Sequence, residues 1–269
     1  MTAEFTTEVS DVQEGIVVLR GYSLEEVMRE LTYTQGAFLS IIGRLPTDPE
    51  RVVTDAVLNS LLDHGFVAST ITAARYIASG NPQFVPAVAG GLLAAGSNTL
   101  SPEHSFHLLA SARAIREERS LDFAGAAKEI VSEFVAAKRR LPGFGHPIHK
   151  DSDFRADVIF SVSEECGIAG EGIAQYRAIH AEFVRQTGKT SIPINIDGAL
   201  AAVGSDLGWT ANQTVAFALL SVLPGLMGHV IEEIVGGKPL RYIHDGAYIG
   251  RPLERLVTTK THQAQEVTA

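Results

Sequence analysis

Apolar residues recur along most of this chain at the three- and four-residue spacing that places them on one face of an α-helix. The segment 52–62 shows this spacing with Val53, Ala56, Val57 and Leu61. The segment 130–135 repeats it with Ile130, Val131, Phe134 and Val135. Both segments therefore predict helices rather than strands.

Glycine and proline divide this helical pattern into pieces of ordinary length. Breaks are expected at residues 80–82, 101–102, 141–143, 188, 208 and 236–237. We therefore predict a nearly all-α protein whose helices are joined by short loops.

The longest apolar run extends from Thr214 to Met227 and contains Pro224 and Gly225. It is shorter than the roughly 20 residues that a membrane-crossing helix needs. We expect a pair of buried helices here and no contact with a membrane.

Both ends of the chain are polar. Residues 1–15 lack the basic segment followed by an apolar one that marks a signal peptide, and they are expected to form a loose arm. The segment 258–269 is expected to fray.

Composition narrows the class of protein. The chain has 269 residues, 45% of them hydrophobic, which is enough for one large core or two unequal lobes. The single cysteine, Cys166, excludes an internal disulfide and a cysteine-rich zinc site, and it fits a reducing, cytoplasmic location. A net charge of −9 offers no broad basic surface for nucleic acid but leaves room for a local cationic pocket that binds an acidic metabolite.

The segment 141–155 concentrates the candidate chemistry. Its sequence is Leu-Pro-Gly-Phe-Gly-His-Pro-Ile-His-Lys-Asp-Ser-Asp-Phe-Arg. Gly143 and Gly145 allow the backbone to turn close to a ligand, and Pro147 favours an extended conformation at His146. The imidazole is then presented from a loop, where binding and catalytic residues are common. On spacing alone, the segment could equally be a solvated turn that ends in a helix cap.

Two further segments supply another histidine and a carboxylate: 62–70, Leu-Asp-His-Gly-Phe-Val-Ala-Ser-Thr, and 194–198, Ile-Asn-Ile-Asp-Gly. Together with the segment 141–155 they resemble the citrate synthase family. In that family Asp-His before Ala-Ser-Thr, Gly-Phe-Gly-His before Asp-Pro-Arg, and Asn-Val-Asp recur in this order. The segments 17–26 and 43–47 resemble early signatures of the same family, so the resemblance covers nearly the whole chain.

The resemblance implies a multihelical fold with a larger domain of residues 1–102 and 219–269 and a smaller domain of residues 103–218. The active site would lie in the cleft between them and would be completed when the smaller domain closes. Members of the family form dimers, and some form larger assemblies. A homodimer or larger homo-oligomer is therefore expected.

The resemblance also assigns three catalytic residues. Making or breaking a carbon–carbon bond beside a thioester requires a group that moves a proton to or from carbon, and donors for the oxyanions that develop. Asp197 would move the carbon-bound proton. His146 would exchange the proton of a tertiary hydroxyl or bind the keto oxygen, and His64 would orient the oxo-acid.

These residues also have ordinary interpretations. His64 could be a surface or capping histidine at a helix end. Asp197 could cap a helix over 198–203, and the helix terminus would then lower its pKa. Arg155 offers a planar guanidinium for a substrate carboxylate, unless it pairs with Asp151 or Asp153 on a solvated turn.

Coenzyme A, as part of the acyl-CoA substrate, is the cofactor that the resemblance implies. The backbone of the segment 141–144 would contact the adenine of coenzyme A, and Lys150 would contact its phosphates. The residues predicted to bind coenzyme A are therefore Leu141, Gly143, Phe144 and Lys150. No metal is expected. His229 with Glu232 and Glu233 has the spacing of metal ligands on a helix, and it is interpreted as a packing feature because no third ligand set is visible.

One departure from the family concerns the enolate. The synthases carry a histidine in a Gly-Pro-x-His-Gly-Gly motif that stabilises it, and the matching residues 96–104 lack this motif. His104 lies about one helical turn too late to be equated with that histidine. The citryl-CoA lyase branch, which includes the C-terminal module of ATP-citrate lyase, also lacks it, and the chain resembles that branch better.

A second departure concerns the carboxylates of the substrate. Both branches have an arginine seven residues before the histidine matched by His229, where this chain has Val222. Arg241, or else Arg251, is the candidate to bind substrate instead. Because an unpaired buried carboxylate is costly, the natural substrate is expected to carry one fewer carboxylate or an apolar group facing Val222.

These features favour an enzyme that cleaves citryl-CoA, or a related 3-hydroxy-3-carboxyacyl-CoA, to an acyl-CoA such as acetyl-CoA and an oxo-acid such as oxaloacetate. A condensing enzyme of the citrate or alkylcitrate synthase type is the second hypothesis, and it would need His104 to stabilise the enolate. The third is a non-catalytic acyl-CoA-binding or regulatory subunit. The loss of the arginine at Val222 supports it, and the retention of Asp197 with both His64 and His146 opposes it.

Overall fold

The computed structural model describes residues 5–255, and the predicted frayed tail over 258–269 lies outside them. Three short strands precede eleven α-helices in the described residues. The strands are β1 Ser10–Gln13, β2 Ile16–Leu19 and β3 Tyr22–Ser23. The helices are α1 Leu24–Glu30, α2 Tyr33–Ile42, α3 Asp48–Ser60, α4 Ser69–Gly80, α5 Phe84–Leu92, α6 Pro102–Glu118, α7 Phe123–Ala136, α8 Phe154–Glu165, α9 Glu171–Thr187, α10 Ile196–Asp206 and α11 Ala211–Gly236. The prediction of a nearly all-α protein is confirmed.

Helix ends follow the expected local chemistry. The threonines Thr32, Thr47 and Thr210 begin α2, α3 and α11 with reciprocal capping boxes. At the other end of α9, Gly188 adopts the left-handed conformation with φ 68°. Helices begin or end within two residues of the predicted breaks, except that α7 ends at Ala136, five residues before the break at 141–143.

The sequence suggested that residues 1–15 form a loose arm. Part of this segment instead forms the strand β1. β1 pairs antiparallel with β2, and Gln13 lies opposite Ile16. Gly15, with φ 77°, forms the turn between them. The polar composition of β1 concealed it, since its four residues are exposed and show no buried face.

The apolar run after residue 214 forms one helix rather than the predicted pair. α11 continues through Pro224 and packs against α3, α4, α5, α6 and α10. Packing on several sides compensates for the one hydrogen bond that proline removes. α11 is long and apolar enough to cross a membrane, since an 18-residue window of it has a mean hydropathy of 1.9. The buried core helix of a protein that does not enter a membrane can have the same length and hydropathy.

The hydrophobic core is built around α10. Residues 198–204 of this helix are all buried, and their side chains are small or aliphatic. The main core joins α10 to α3, α6, α7, α8, α9 and α11, while a second cluster lies between α4, α5 and α11. The start of α10 is therefore held by packing on several sides. The division into two domains stays a prediction.

Candidate active site

A cavity of about 550 Å³ opens beside the N-terminal ends of α4, α8 and α10 and the middle of α11. Its wall is drawn from segments that are far apart in sequence. His64, His146, Arg155 and Asp197 all line it. The structure thus brings together four of the residues that the sequence assigned to the site.

His64 and His146 meet through their rings, with the two Nε2 atoms 2.8 Å apart. Nδ1 of His146 faces two backbone donors, the N–H of Ile148 at 3.1 Å and the N–H of His149 at 2.9 Å. Because an accepting nitrogen carries no proton, the neutral His146 ring has its proton on Nε2 and donates it to Nε2 of His64. His64 is thereby assigned the tautomer with its proton on Nδ1.

Both rings are held in the neutral form. Removal from bulk water lowers the pKa of His146 to about 4, and the positive charge of Arg155 acts in the same direction. Burial, followed by Arg155, also lowers the pKa of His64. At their facing Nε2 atoms the pair therefore offers, at neutral pH, one N–H donor on His146 and one accepting nitrogen on His64.

The same histidines raise the question of a metal. Ring nitrogens of His64, His146 and His149 lie within 4.8 Å of one another, close enough for a shared ion. The backbone donors occupy Nδ1 of His146, so a metal at its Nε2 would have to displace the last ring proton. The donor set fits proton transfer better than metal binding.

Asp197 lies in the first turn of α10 but does not cap the helix. Asn195 is the cap, and its side-chain oxygen accepts the N–H of Gly198 at 3.2 Å. The Asp197 carboxylate instead accepts the backbone N–H of Ser101 at 3.2 Å. Burial raises the pKa of Asp197, since the loss of water outweighs the hydrogen bond from the N–H of Ser101 and the positive charge of Arg155. The expectations of a cap and of a lowered pKa are both wrong.

The histidine loop is fastened to the start of α10. The N–H of Gly145 donates to the carbonyl of Pro193 at 2.8 Å, and the N–H of Asn195 donates to the carbonyl of Gly143 at 2.9 Å. The side-chain amide of Asn195 adds a bond to the carbonyl of Gly145 at 2.9 Å. A Cβ at Gly143 would lie 2.7 Å from the Cα of Gly198, so only glycine permits this approach. The loop and α10 therefore form one unit.

Arg155 lines the cavity while its guanidinium is bound to a carboxylate of the chain. Its Nε and Nη2 donate to the two oxygens of Asp153 at 2.9 and 2.7 Å. Both residues are buried, so this is not the solvated pair that the sequence left open. A substrate carboxylate would use the remaining N–H groups of Arg155.

The four residues predicted to hold coenzyme A lie beside the cavity rather than in its wall. Leu141 is buried, and the ring of Phe144 stacks on Tyr176 at 5.2 Å between centroids. The N–H and C=O of Phe144 take no backbone partner within residues 5–255. Lys150 is exposed, and its ammonium donates to the carbonyl of His146 at 2.7 Å.

The structure does not bring Arg241 to this cavity. Its Nε and Nη2 donate to the carboxylate of Glu233 at 2.6 and 2.8 Å. Glu233 also accepts from Arg75, whose guanidinium donates to Nδ1 of His229 at 3.1 Å. His229 thus lies in a polar network between helices, which matches its interpretation as a packing feature.

Sequence reasoning missed a turn that forms part of the wall. Gly96 and Thr99 exchange backbone hydrogen bonds of 2.8 and 2.9 Å, and Ser97 and Asn98 form the tip between them. All four residues line the cavity. The sequence did contain a sign of this turn, because residues 96–99 lie in the region that matches the histidine motif of the synthases.

The second departure from the family also maps to the cavity. Val222 lines it, at the position where an arginine was missing from the sequence pattern. The side chain of His104 is not among the lining residues. Part of the wall is therefore apolar at the position where both branches of the family carry an arginine.

Comparison with known proteins agrees with this geometry. The sequence-family model "Citrate synthase, C-terminal domain" matches residues 47–252 of this chain. Citryl-CoA lyase from Hydrogenobacter thermophilus has a similar structure, with a TM-score of 0.84 and 30% identity over 95% of this chain and 98% of that chain. ATP citrate lyase from Methanosaeta concilii, solved with (3S)-citryl-CoA, shares the fold at a TM-score of 0.78 and 18% identity, over 94% of this chain and 42% of that chain.

A curated protein of Mycobacterium tuberculosis, "Putative citrate synthase 2", is 29% identical over 197 residues, which cover 72% of this chain and 51% of that protein. The chain thus spans about half the length of the curated relatives it matches. The family match nevertheless extends over most of the chain and includes the segments that carry His64, His146 and Asp197. The chain belongs to the citrate synthase family.

Proposed function

We propose that this protein is an enzyme acting on coenzyme A thioesters, and that it cleaves a citryl-CoA-type substrate to an acyl-CoA and an oxo-acid. The observation that carries the proposal is the meeting of a neutral histidine pair and a carboxyl group of raised pKa in one cavity. The likeness to citryl-CoA lyase, over 98% of that chain, supports a lyase reaction.

The first step requires a proton acceptor at the tertiary hydroxyl. A hydroxyl that enters between the rings can accept from Nε2–H of His146 and donate to Nε2 of His64. As the carbon–carbon bond breaks, the proton passes to His64 and the hydroxyl oxygen becomes the keto oxygen of the oxo-acid. The tautomers thus give His64 a part in proton transfer beyond the orienting role expected from the sequence.

The second step returns a proton to carbon. The electron pair of the broken bond passes to the thioester as an enolate. Asp197, whose raised pKa favours the protonated form, supplies the proton that completes the acyl-CoA. Ser97 and Asn98 line the same cavity and offer neutral hydrogen-bond donors for the enolate oxygen, in place of the synthase histidine.

The charges of the wall suit a substrate with a single carboxylate at the oxo-acid end. Among the lining residues Arg155 is the permanent cation, and Val222 is apolar. Citramalyl-CoA fits this arrangement better than citryl-CoA, since a methyl group replaces the second carboxylate arm. The expected products are then acetyl-CoA and pyruvate.

The coenzyme A portion would extend along the loop that carries His146. The unpaired backbone groups of Phe144 are available to the adenine, and Lys150 is exposed where phosphates would lie. Exchange of the Lys150 bond to the His146 carbonyl for a phosphate contact would leave the histidine ring in place.

The test is a mass-spectrometric time course with citryl-CoA and citramalyl-CoA. Wild type should release acetyl-CoA and an oxo-acid, while His146→Ala and Asp197→Asn should lose about 10²–10⁴ in rate. His107→Ala, which changes an exposed histidine outside the cavity, should retain activity. Binding of both thioesters without turnover would overturn the lyase proposal and favour a non-catalytic acyl-CoA-binding subunit.

A further inference from the structure

One face of α11 holds the segment that leads into His64. Ser221, Gly225 and His229 follow one another at intervals of four residues, so they lie one above another on this face. All three lie outside the wall of the cavity. Each contacts the segment 61–63, which ends directly before the histidine. This face of α11 therefore determines where the turn with His64 begins.

The first two contacts are made by Ser221 and Gly225. The N–H of Leu61 donates to the hydroxyl of Ser221 at 3.0 Å, and both residues are buried. A Cβ at Gly225 would overlap the carbonyl oxygen of Leu62 and would lie 3.1 Å from the Cα of Asp63. Because only glycine permits this approach, the backbone before His64 lies directly against the helix.

The third contact is a hydrogen bond from His229. Its Nδ1 accepts from the guanidinium of Arg75, with Nη1 at 3.1 Å. A guanidinium only donates, so Nδ1 carries no proton and the neutral ring has its proton on Nε2. This Nε2 lies 3.1 Å from Oδ1 of Asp63 and therefore donates to the carboxylate. Arg75 is itself fixed, because its Nε donates to the buried carboxylate of Glu233 at 2.7 Å.

The carboxylate that receives this bond also shapes the turn of His64. Oδ1 of Asp63 accepts the N–H of Gly65 at 3.2 Å, so the carboxylate links the residues on both sides of the histidine. The side chain of Asp63 is 50% exposed, and without His229 it could turn toward water. Its charge also acts on the ring, since burial and then Arg155 lower the pKa of His64 and Asp63 opposes them. The bond from His229 therefore fixes both the turn and a charge beside the ring.

We propose that His229 is a positioning residue for the cleavage reaction, and that it acts through Asp63 to keep the ring of His64 directed at His146. The inference rests on the proposed function, in which His64 accepts the proton of the substrate hydroxyl. That transfer depends on the 2.8 Å approach of the two Nε2 atoms, and a displacement of about 1 Å can lower a rate by about 10²-fold. Because His229 lies outside the cavity wall, its loss should lower kcat more than it raises KM.

Two substitutions at this position separate the bond to Asp63 from packing. The side chain of Asn ends near the position of Nδ1, so it can accept from Arg75 but is too short to reach Asp63. Gln is longer, and its amide can donate to Asp63. His229→Asn should lower kcat about 10–10²-fold with little change in KM, whereas His229→Gln should retain most of the wild-type kcat. His107→Asn, which changes an exposed histidine outside the cavity, should change neither constant.

A double-mutant cycle tests whether His229 acts through Asp63. Asp63→Ala removes the acceptor of the bond, so the addition of His229→Asn should lower kcat no further. Losses that multiply in the double variant would overturn the proposal. A wild-type kcat in His229→Asn would do the same, as would a folded His229→Gln variant no more active than His229→Asn, with folding judged by thermal melting.

Nitrogen-15 NMR of the histidine rings gives a reading that needs no thioester. Wild type should show the ring proton of His146 on Nε2 and that of His64 on Nδ1. His229→Asn should shift the ring resonances of His64, and His229→Gln should restore them. Unchanged His64 resonances in His229→Asn would overturn the positioning role. If wild type cleaves no thioester, the lyase proposal fails, and the NMR result still decides whether His229 positions His64.

Discussion

At the scale of the residue, two backbone N–H groups decide what the histidine pair can do. They hold Nδ1 of His146 as an acceptor and so direct its only proton toward His64. Burial and a nearby guanidinium then keep both rings neutral. None of these interactions is visible in the Gly-Phe-Gly-His motif itself.

The lowered pKa of His146 predicts how stability depends on pH. An unfolded histidine takes up its proton near pH 6.5, whereas folded His146 does so only near its pKa of about 4. Between these values the unfolded chain binds more protons, so the contribution of His146 is complete above about pH 6.5 and is lost as the pH falls toward about 4.

Urea unfolding at about pH 7 and about pH 5 tests this dependence. Wild type should lose more of its free energy of unfolding on acidification than His146→Gln, which cannot titrate. His107→Gln, at an exposed position, should behave like wild type. Equal losses in all three proteins would contradict the assigned pKa.

The raised pKa of Asp197 predicts the opposite trend. In the unfolded chain the Asp197 carboxyl ionises near pH 4, whereas in the folded protein it ionises at a higher pH. The free energy of unfolding therefore falls as the pH rises from about 4 through the folded pKa. Asn at this position can still accept the N–H of Ser101. At neutral pH Asp197→Asn should therefore be at least as stable as wild type, although inactive. If Asp197→Asn melts at a clearly lower temperature than wild type, the Asp197 carboxylate is stabilised by its neighbours, and the raised pKa is contradicted.

At the scale of the element, periodicity predicted what depends on local sequence. Val53 and Val57 are buried on one face of α3, as their spacing indicated, whereas Val135 at the end of α7 is 40% exposed. α11 was expected as a pair because Pro224 looks like a break, and only packing on several sides shows why the helix continues. The cap at Asn195 was missed because Asp197, two residues later, is an equally good capping residue by type.

The contact between the histidine loop and α10 yields a prediction at this scale. A Cβ at Gly198 would lie 2.6 Å from the carbonyl oxygen of Gly143, so Gly198→Ala must push the loop and the helix apart. We expect a loss of about 1–3 kcal/mol and a large loss of activity. Gly228→Ala is the matched control, since a Cβ there meets nothing within 4 Å and alanine favours a helix by about 0.5–1 kcal/mol. Urea unfolding and the thioester assay should separate the two variants, and similar behaviour would contradict the close-contact argument.

At the scale of the whole molecule, the cavity exists only because distant segments converge. The two histidines of the pair are 82 positions apart in sequence. Nothing in spacing or composition places them 2.8 Å apart, and their meeting was anticipated through resemblance to a family. The burial that raises the pKa of Asp197 is likewise a property of the assembled core. Departures from the family pattern were nevertheless informative, since the turn 96–99 and Val222 both line the cavity.

The balance of charge in the cavity gives the final prediction. With Arg155 as the permanent cation of the wall and Val222 apolar, wild type should prefer citramalyl-CoA to citryl-CoA. Val222→Arg adds a second guanidinium and should reverse this preference, because the second carboxylate gains a partner while the methyl group loses an apolar contact. Competition between the two thioesters, followed by mass spectrometry, measures the ratio of kcat/KM directly. Val222→Met, which adds length without charge, controls for lost space, so a reversal in both variants would mean that shape rather than charge selects the substrate.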